Sequence, residues 1–265
     1  MKKVTPHVIR AMKGVEKIAA LTAYDAQMAF FLEEAGIPFI LVGDSVGTTQ
    51  LGYASTIPVT LEDMISHTAS VVRGCHWPMV VADLPFMSYQ VSVEQALRNS
   101  GRLMQESGCD AVKLEGGRIR AETVRALVRN GIPVCAHIGL TPQSVKAIGL
   151  RVQGRGPEEA QGLLDDAKAL EDAGAYAIVL EGIPAPVAKD ITAALTIPTI
   201  GIGAGVHCDG QVLVISDVLG LGGAYNPKFA KRYADVGTII ADAARSYKQE
   251  VTAAVFPDDD HSYLE

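Results

Sequence analysis

Long apolar runs are missing from this chain. Its apolar segments are short and regularly interrupted, and none approaches the roughly 20 residues that a membrane-spanning helix requires. The basic opening stretch MKKVTPHVIRAMK lacks the apolar run that a secretory signal carries. Cysteine is scarce: Cys75, Cys109, Cys135 and Cys208 form no CxxC pair, and without a secretory signal they read as reduced thiols. Positive charge is also in short supply. The net charge of −7 argues against nucleic acid as the main partner, because phosphate backbones are bound by a basic face. No Ser/Gly/Pro-rich spacer or break in composition divides the chain. The expectation is a cytoplasmic protein with no membrane and no nucleic-acid partner, built as one domain over residues 1–265.

What is present is a regular alternation. The 265 residues, 48% hydrophobic and 20% charged, have ordinary globular composition and can bury a large core. IAALTAYD (18–25), FILVGD (39–44), MVVAD (79–83), AVKLEGG (111–117), PVCAHIG (133–139), AIVLEG (177–182), IPTIGIG (197–203) and VLVISD (212–217) read as strands. They are continuous Val/Ile/Leu/Ala segments without period-two alternation, which indicates a sheet covered on both faces. Helical patterns separate most of them, including AQMAFFLEEAG with Gly36 as a stop, and VEQALRNSGRLMQESG and PEEAQGLLDDAKALEDAG. TLEDMISHTASVVRG opens with Thr60 and Asp63, a capping signal. Met28, Phe30 and Phe31 are expected to fill core at helical spacing.

The reading is α/β, a (β/α)8 TIM barrel, whose usual size this chain matches. Nine such runs in all are expected, the eight above and one more, so that one would be spare or irregular in an eight-stranded barrel. A doubly wound open sheet gives the same local alternation and is the alternative. The stretch PKFAKRYADVGTIIADAARSYKQEV adds helix beyond the last strand, and residues 257–265 are expected to fray.

The strand ends carry the chemistry. FILVGD ends on Asp44, MVVAD on Asp83, AVKLEG on Lys113 and Glu115, PVCAHIG on His137 and AIVLEG on Glu181. One acid after a strand is an ordinary cap or turn former. In a parallel barrel, however, all these ends meet on the C-terminal face, where active sites are built. Crowded carboxylates raise one another's pKa unless a cation sits among them. Asp44, Asp83 and Glu115 offer hard oxygen atoms, which suits Mg²⁺ with positions left for water and substrate; with His137 close by, Mn²⁺, Co²⁺ or Zn²⁺ stay open. Lys113 suits an anionic substrate group or a salt bridge within the cluster. Glu181, apart from the metal trio, is a candidate base or a capping residue. Ser45 either donates to a substrate oxygen or serves the turn it occupies.

Other features yield less. The glycines of GDSVG, LEGG and GIGAG allow backbone N–H groups to approach an anion. GIGAG fails the dinucleotide fingerprint, because Val206 stands where the third glycine belongs and no helix pattern follows at once. His207, Cys208 and Asp209 are adjacent and cannot readily converge on one ion.

The strings VGDSVG, STIPVTLEDMISHT, ADLPFMSY, VKLEGG, HIGLTPQSV, VQGR, GIGAG, DGQVLV and PKFAK, in this order and over nearly the whole chain, resemble the ketopantoate hydroxymethyltransferase family. The resemblance implies a barrel of the phosphoenolpyruvate/pyruvate type, a Mg²⁺-dependent reaction and a ring-built homodecamer. It also implies one-carbon transfer from 5,10-methylenetetrahydrofolate to α-ketoisovalerate, giving ketopantoate for pantothenate and coenzyme A synthesis. By position, Asp44, Asp83 and Glu115 would hold the metal, and Ser45, Asp83, Lys113 and His137 the keto acid. Glu181 would be the base and the 45–58 loop a cover. The chain departs from the pattern at Gly182 of LEGIPA, where Cys or Ala is expected, and in VGTTQLGY, which bears on the folate side. Two rivals are a metal-dependent lyase of the same superfamily, which would use the same trio, and a non-catalytic binding protein, which would need no base facing a metal site.

Overall fold

The computed structural model describes residues 2–222 and 227–263. The chain forms two compact units, Met1–Val214 and Ile215–Glu265.

The first unit is a barrel. Its strands are β1 (Ile18–Thr22), β2 (Phe39–Val42), β3 (Met79–Asp83), β4 (Ala111–Glu115), β5 (Val134–Gly139), β6 (Ala177–Glu181), β7 (Thr199–Ile202) and β8 (Gly210–Leu213). Each pairs in parallel with the next, and β1 pairs with β8 to close the ring. Among the described residues these eight are all the strands, and no ninth strand stands among them. The helices of this unit are α1 (Pro6–Ala11), α2 (Ala26–Glu34), α3 (Val46–Thr49), α4 (Leu61–Gly74), α5 (Val93–Ser107), α6 (Ala121–Arg129), α7 (Val145–Ile148), α8 (Pro157–Asp172) and α9 (Ala185–Ala194).

Local chemistry starts and stops these elements where the sequence implies. Thr60 and Asp63 form a reciprocal capping box at the start of α4. Ser92 accepts from the Gln95 N–H to open α5, and Gly108 ends that helix in the left-handed conformation that glycine adopts without a Cβ penalty. Every residue of β3 and β4 is buried, as continuous apolar strands covered on both faces must be.

Three expectations need correction. Phe30 and Phe31 do not fill core: they are 51% and 63% exposed, with their rings packed edge to face at 5.6 Å. The phase of α2 instead buries Ala29 and Leu32, three residues apart on one face, and leaves Met28 half-buried. VLVISD is a strand only to Leu213. Asp44 lies two residues beyond the end of β2, so a loop carries it and not the strand.

The second unit holds α10 (Ile215–Leu219), which takes up the ISD of that string, and α11 (Val236–Thr252), followed by a 3₁₀ turn at Asp259–His261. Side-chain capping recurs here: Asp258 accepts from the His261 N–H, and the Phe256 ring packs on Tyr247 and His261. Leu264 and Glu265, part of the stretch expected to fray, lie outside the described residues. Among the described residues no helix is long and apolar enough to cross a membrane.

Candidate active site

A strand turns alternate side chains to the same face. In β3 to β6, Met79, Val81, Ala111, Cys135, Ala177 and Val179 belong to the central core cluster. Two residues onward along each strand stand Asp83, Lys113 and then Glu115, His137, and Glu181. Apolar layers therefore close the barrel below, and ionisable groups cap them at the C-terminal end. The register sets their neighbours, pairing Asp83 with Lys113, Glu115 with His137, and Gly139 with Glu181.

The side chains meet as that register requires. Lys113 Nζ lies 2.9 Å from Asp83 Oδ1 and 3.3 Å from His137 Nδ1. His137 stands between two acids, with Nδ1 3.6 Å from Glu115 Oε1 and Nε2 3.3 Å from Glu181 Oε2. Asp44 joins from its loop: its backbone N–H donates to Asp83 Oδ2 at 3.0 Å. Asp44, Asp83, Lys113, Glu115 and His137 are all buried, while Glu181 keeps partial exposure. Ser45 shares a hydrogen bond of 2.8 Å with the Tyr24 hydroxyl. A Cβ at position 43 would sit 2.8 Å from Ser45 Oγ, so any residue larger than glycine there would displace the Ser45 hydroxyl.

Burial and charge pull these groups apart electrostatically. Burial raises the Asp44 carboxyl well above the ordinary range, and the charges of Asp83 and Glu115 add to the rise. Burial also raises Asp83, outweighing the opposing pull of Lys113. Burial works against the Glu115 carboxylate too, yet its close contact with His137 and the charges of His137 and Lys113 bring it below the ordinary range. For Lys113 burial is outweighed by Asp83, Glu115 and Asp44, which hold the ammonium above the usual lysine range. His137 is desolvated and repelled by Lys113, but Glu115 and Glu181 lift it to about 9.

The sequence reading missed two members of this cluster. Gln143, 3% exposed, donates from Nε2 to Asp44 Oδ2 and to the Leu84 carbonyl, both at 2.9 Å, while its backbone N–H donates to Glu115 Oε2 at 3.1 Å. Tyr89 donates to Gln143 Oε1 at 2.7 Å and accepts from the Glu115 N–H at 3.1 Å. Both lie within strings noted above, HIGLTPQSV and ADLPFMSY, but beyond the strands, Tyr89 in a loop and Gln143 in a 3₁₀ turn at Pro142–Ser144. Strand-end logic does not reach them. The buried Asp209, by contrast, is structural: it pairs with Lys13 at 2.8 Å and accepts from the Thr199 N–H at 2.9 Å.

Among the described residues no three His, Cys, Asp or Glu side chains form a ready-made metal cage. The donors at the mouth of the barrel nonetheless fit a hard cation that keeps part of its shell for water or substrate. They are carboxylate oxygens, and a cation would offset the burial that chiefly raises Asp44 together with the repulsion from Asp83 and Glu115 that adds to it.

The family model described as ketopantoate hydroxymethyltransferase matches residues 3–259. The 3-methyl-2-oxobutanoate hydroxymethyltransferase of Syntrophus aciditrophicus is 56% identical, covering 99% of this chain and 97% of its own. The enzyme of the same name from Carboxydothermus hydrogenoformans is 57% identical over 99% of this chain and 96% of its own, and that of Streptomyces coelicolor 53% identical over 98% and 90%. Among solved structures, a 2,3-dimethylmalate lyase of the PEP mutase/isocitrate lyase superfamily aligns with TM-score 0.63 at 17% identity, covering 100% of this chain and 93% of the lyase. A phosphonopyruvate hydrolase aligns with TM-score 0.66 at 13% identity, covering 98% and 93%. These structures share the fold.

Proposed function

The chain belongs to the ketopantoate hydroxymethyltransferase family, and from that membership we propose that it transfers a one-carbon unit from 5,10-methylenetetrahydrofolate to α-ketoisovalerate. The product would be ketopantoate, committing carbon to pantothenate and coenzyme A synthesis. The observation that carries this reading is the convergence of Asp83, Lys113, Glu115, His137 and Glu181 at one end of four adjacent strands.

In this reading Asp44, Asp83 and Glu115 hold Mg²⁺, directly or through water. The cation, when bound, polarises the ketone and stabilises the negative charge that develops on deprotonation. Ser45 and Lys113 hold the keto acid; Lys113 turns part of its charge from Asp83 to the substrate carboxylate. His137 lines the pocket and orients Glu181, from which it stands 3.3 Å. Glu181, with partial exposure towards the mouth, takes the proton from C3. The electron pair left on C3 forms the new C–C bond to the methylene carbon, delivered as an iminium or, after hydrolysis, as formaldehyde. Both C–N bonds of the methylene carbon break, one as the folate ring opens to the iminium and one as water supplies the hydroxyl oxygen, and the protons from C3 and from that water end on the two folate nitrogens. The 45–58 loop is the candidate cover that keeps water from the enolate.

All four cysteines are buried and unpaired, in keeping with a reducing cytoplasm. A homodecamer is the assembly we expect from the family.

Exchange of the C3 proton of α-ketoisovalerate into D₂O, followed by NMR without folate, tests the reading. Exchange that depends on Mg²⁺ is the expected result. No exchange by folded protein with metal bound, either without folate or with tetrahydrofolate added, would overturn it in favour of a lyase.

A further inference from the structure

We propose, resting on the metal site above, that Gln143 is a positioning residue that restricts Asp44 to one-oxygen contact with the cation and so favours Mg²⁺ over Ca²⁺. The amide of Gln143 can sit in only one orientation. Nε2 faces two acceptors, Asp44 Oδ2 and the Leu84 carbonyl, each at 2.9 Å. Oε1 faces two donors, the Tyr89 hydroxyl at 2.7 Å and Gln90 Nε2 at 3.1 Å. Turning the amide over would set oxygen against a carboxylate and a carbonyl. Gln143 is buried, so each mismatched pair would cost the hydrogen bonds that now satisfy the amide.

The Gln143 N–H therefore stays on Oδ2 and competes with a cation for that oxygen, leaving Oδ1 of Asp44 as the better donor. The same pattern holds for its neighbours. Asp83 Oδ2 is engaged by the Asp44 N–H, and Glu115 Oε2 by the Gln143 N–H. Each carboxylate of the trio thus has at least one oxygen occupied by an N–H of the protein, and Asp83 also gives its Oδ1 to Lys113 at 2.9 Å. Mg²⁺ takes single oxygens in an octahedron and keeps its waters, whereas Ca²⁺ gains from bidentate carboxylates and higher coordination. A rigid donor on Oδ2 penalises the second mode more than the first.

Gln143→Met keeps the length of the side chain, removes the donor and leaves the backbone bond to Glu115 in place. Calorimetric titration of wild type and variant with MgCl₂ and with CaCl₂, each alone, reads the effect directly. The Mg²⁺ dissociation constant is expected to rise about 10–100-fold while that for Ca²⁺ stays level or falls, so that the preference for Mg²⁺ shrinks. Gln143→Leu, which likewise offers no donor to Asp44 and adds no charge beside the trio, is expected to shift the preference the same way and decides the matter if the Met variant does not fold. Equal weakening of both ions would reduce Gln143 to structural support and overturn the proposal, as would unchanged affinities. Wild-type protein that binds neither ion would overturn the metal site itself.

Discussion

The backbone N–H of Asp44 donates to Oδ2 of Asp83 over 3.0 Å. A side chain at the end of one strand thus fixes the loop after its neighbour, and the same carboxylate holds Lys113 through its other oxygen. Asp83 is structural and functional at once, so a variant that deletes it tests both roles together.

Asp83→Ala should therefore cost stability as well as activity. It strips a buried lysine of its closest counter-ion, for which a loss of about 3–5 kcal/mol is expected. Asp83→Asn retains an acceptor for the Asp44 N–H and should recover part of that loss, while still binding Mg²⁺ poorly. Urea denaturation alongside calorimetry separates the effects; equal stability of the two variants would show that the loop does not depend on Asp83.

Asp44 gives a pH dependence of defined sign. Its folded-state pKa is raised, by burial first and by Asp83 and Glu115 next, so native protein keeps a proton that unfolded chain has lost. Stability contributed by the neutral form is full below the ordinary aspartate pKa and declines as pH rises towards the raised value. Without metal, Asp44→Asn should melt with wild type at low pH and progressively above it as pH rises, by about 2–4 °C for each kcal/mol relieved. A difference that narrows with rising pH would contradict the assignment.

Glu181→Gln keeps the volume of the side chain and removes the base. Proton exchange at C3 should slow by about 10²–10⁴-fold, with Mg²⁺ and keto-acid affinities close to wild type. Retained exchange would assign the proton transfer to another group.

Gly139 tests how tightly the base is seated. Its φ is +96°, and a Cβ there would collide with the Glu181 carbonyl oxygen. Gly139→Ala should destabilise the fold by on the order of 3 kcal/mol and lower turnover by displacing Glu181. Thermal melts and steady-state kinetics check both; a silent substitution would show that the β5–β6 end yields without cost.

Much of this was legible locally. The apolar runs marked the strands, and Thr60 with Asp63 marked a helix start, because capping and periodicity act between residues a few positions apart. The ionisable residue types at the strand ends followed from the same reading, as did the family. Only the folded barrel decided which of them touch. Asp44 and Gln143, 99 residues apart, meet because ring closure brings the loops after β2 and β5 over one mouth. The pairing of Lys113 with Asp83 depends on strand register, and the outward turn of Phe30 and Phe31 on the phase at which α2 packs. Composition and spacing fix what each segment is. Contacts between distant segments, and the pKa values that burial among them creates, arise only when the whole core closes.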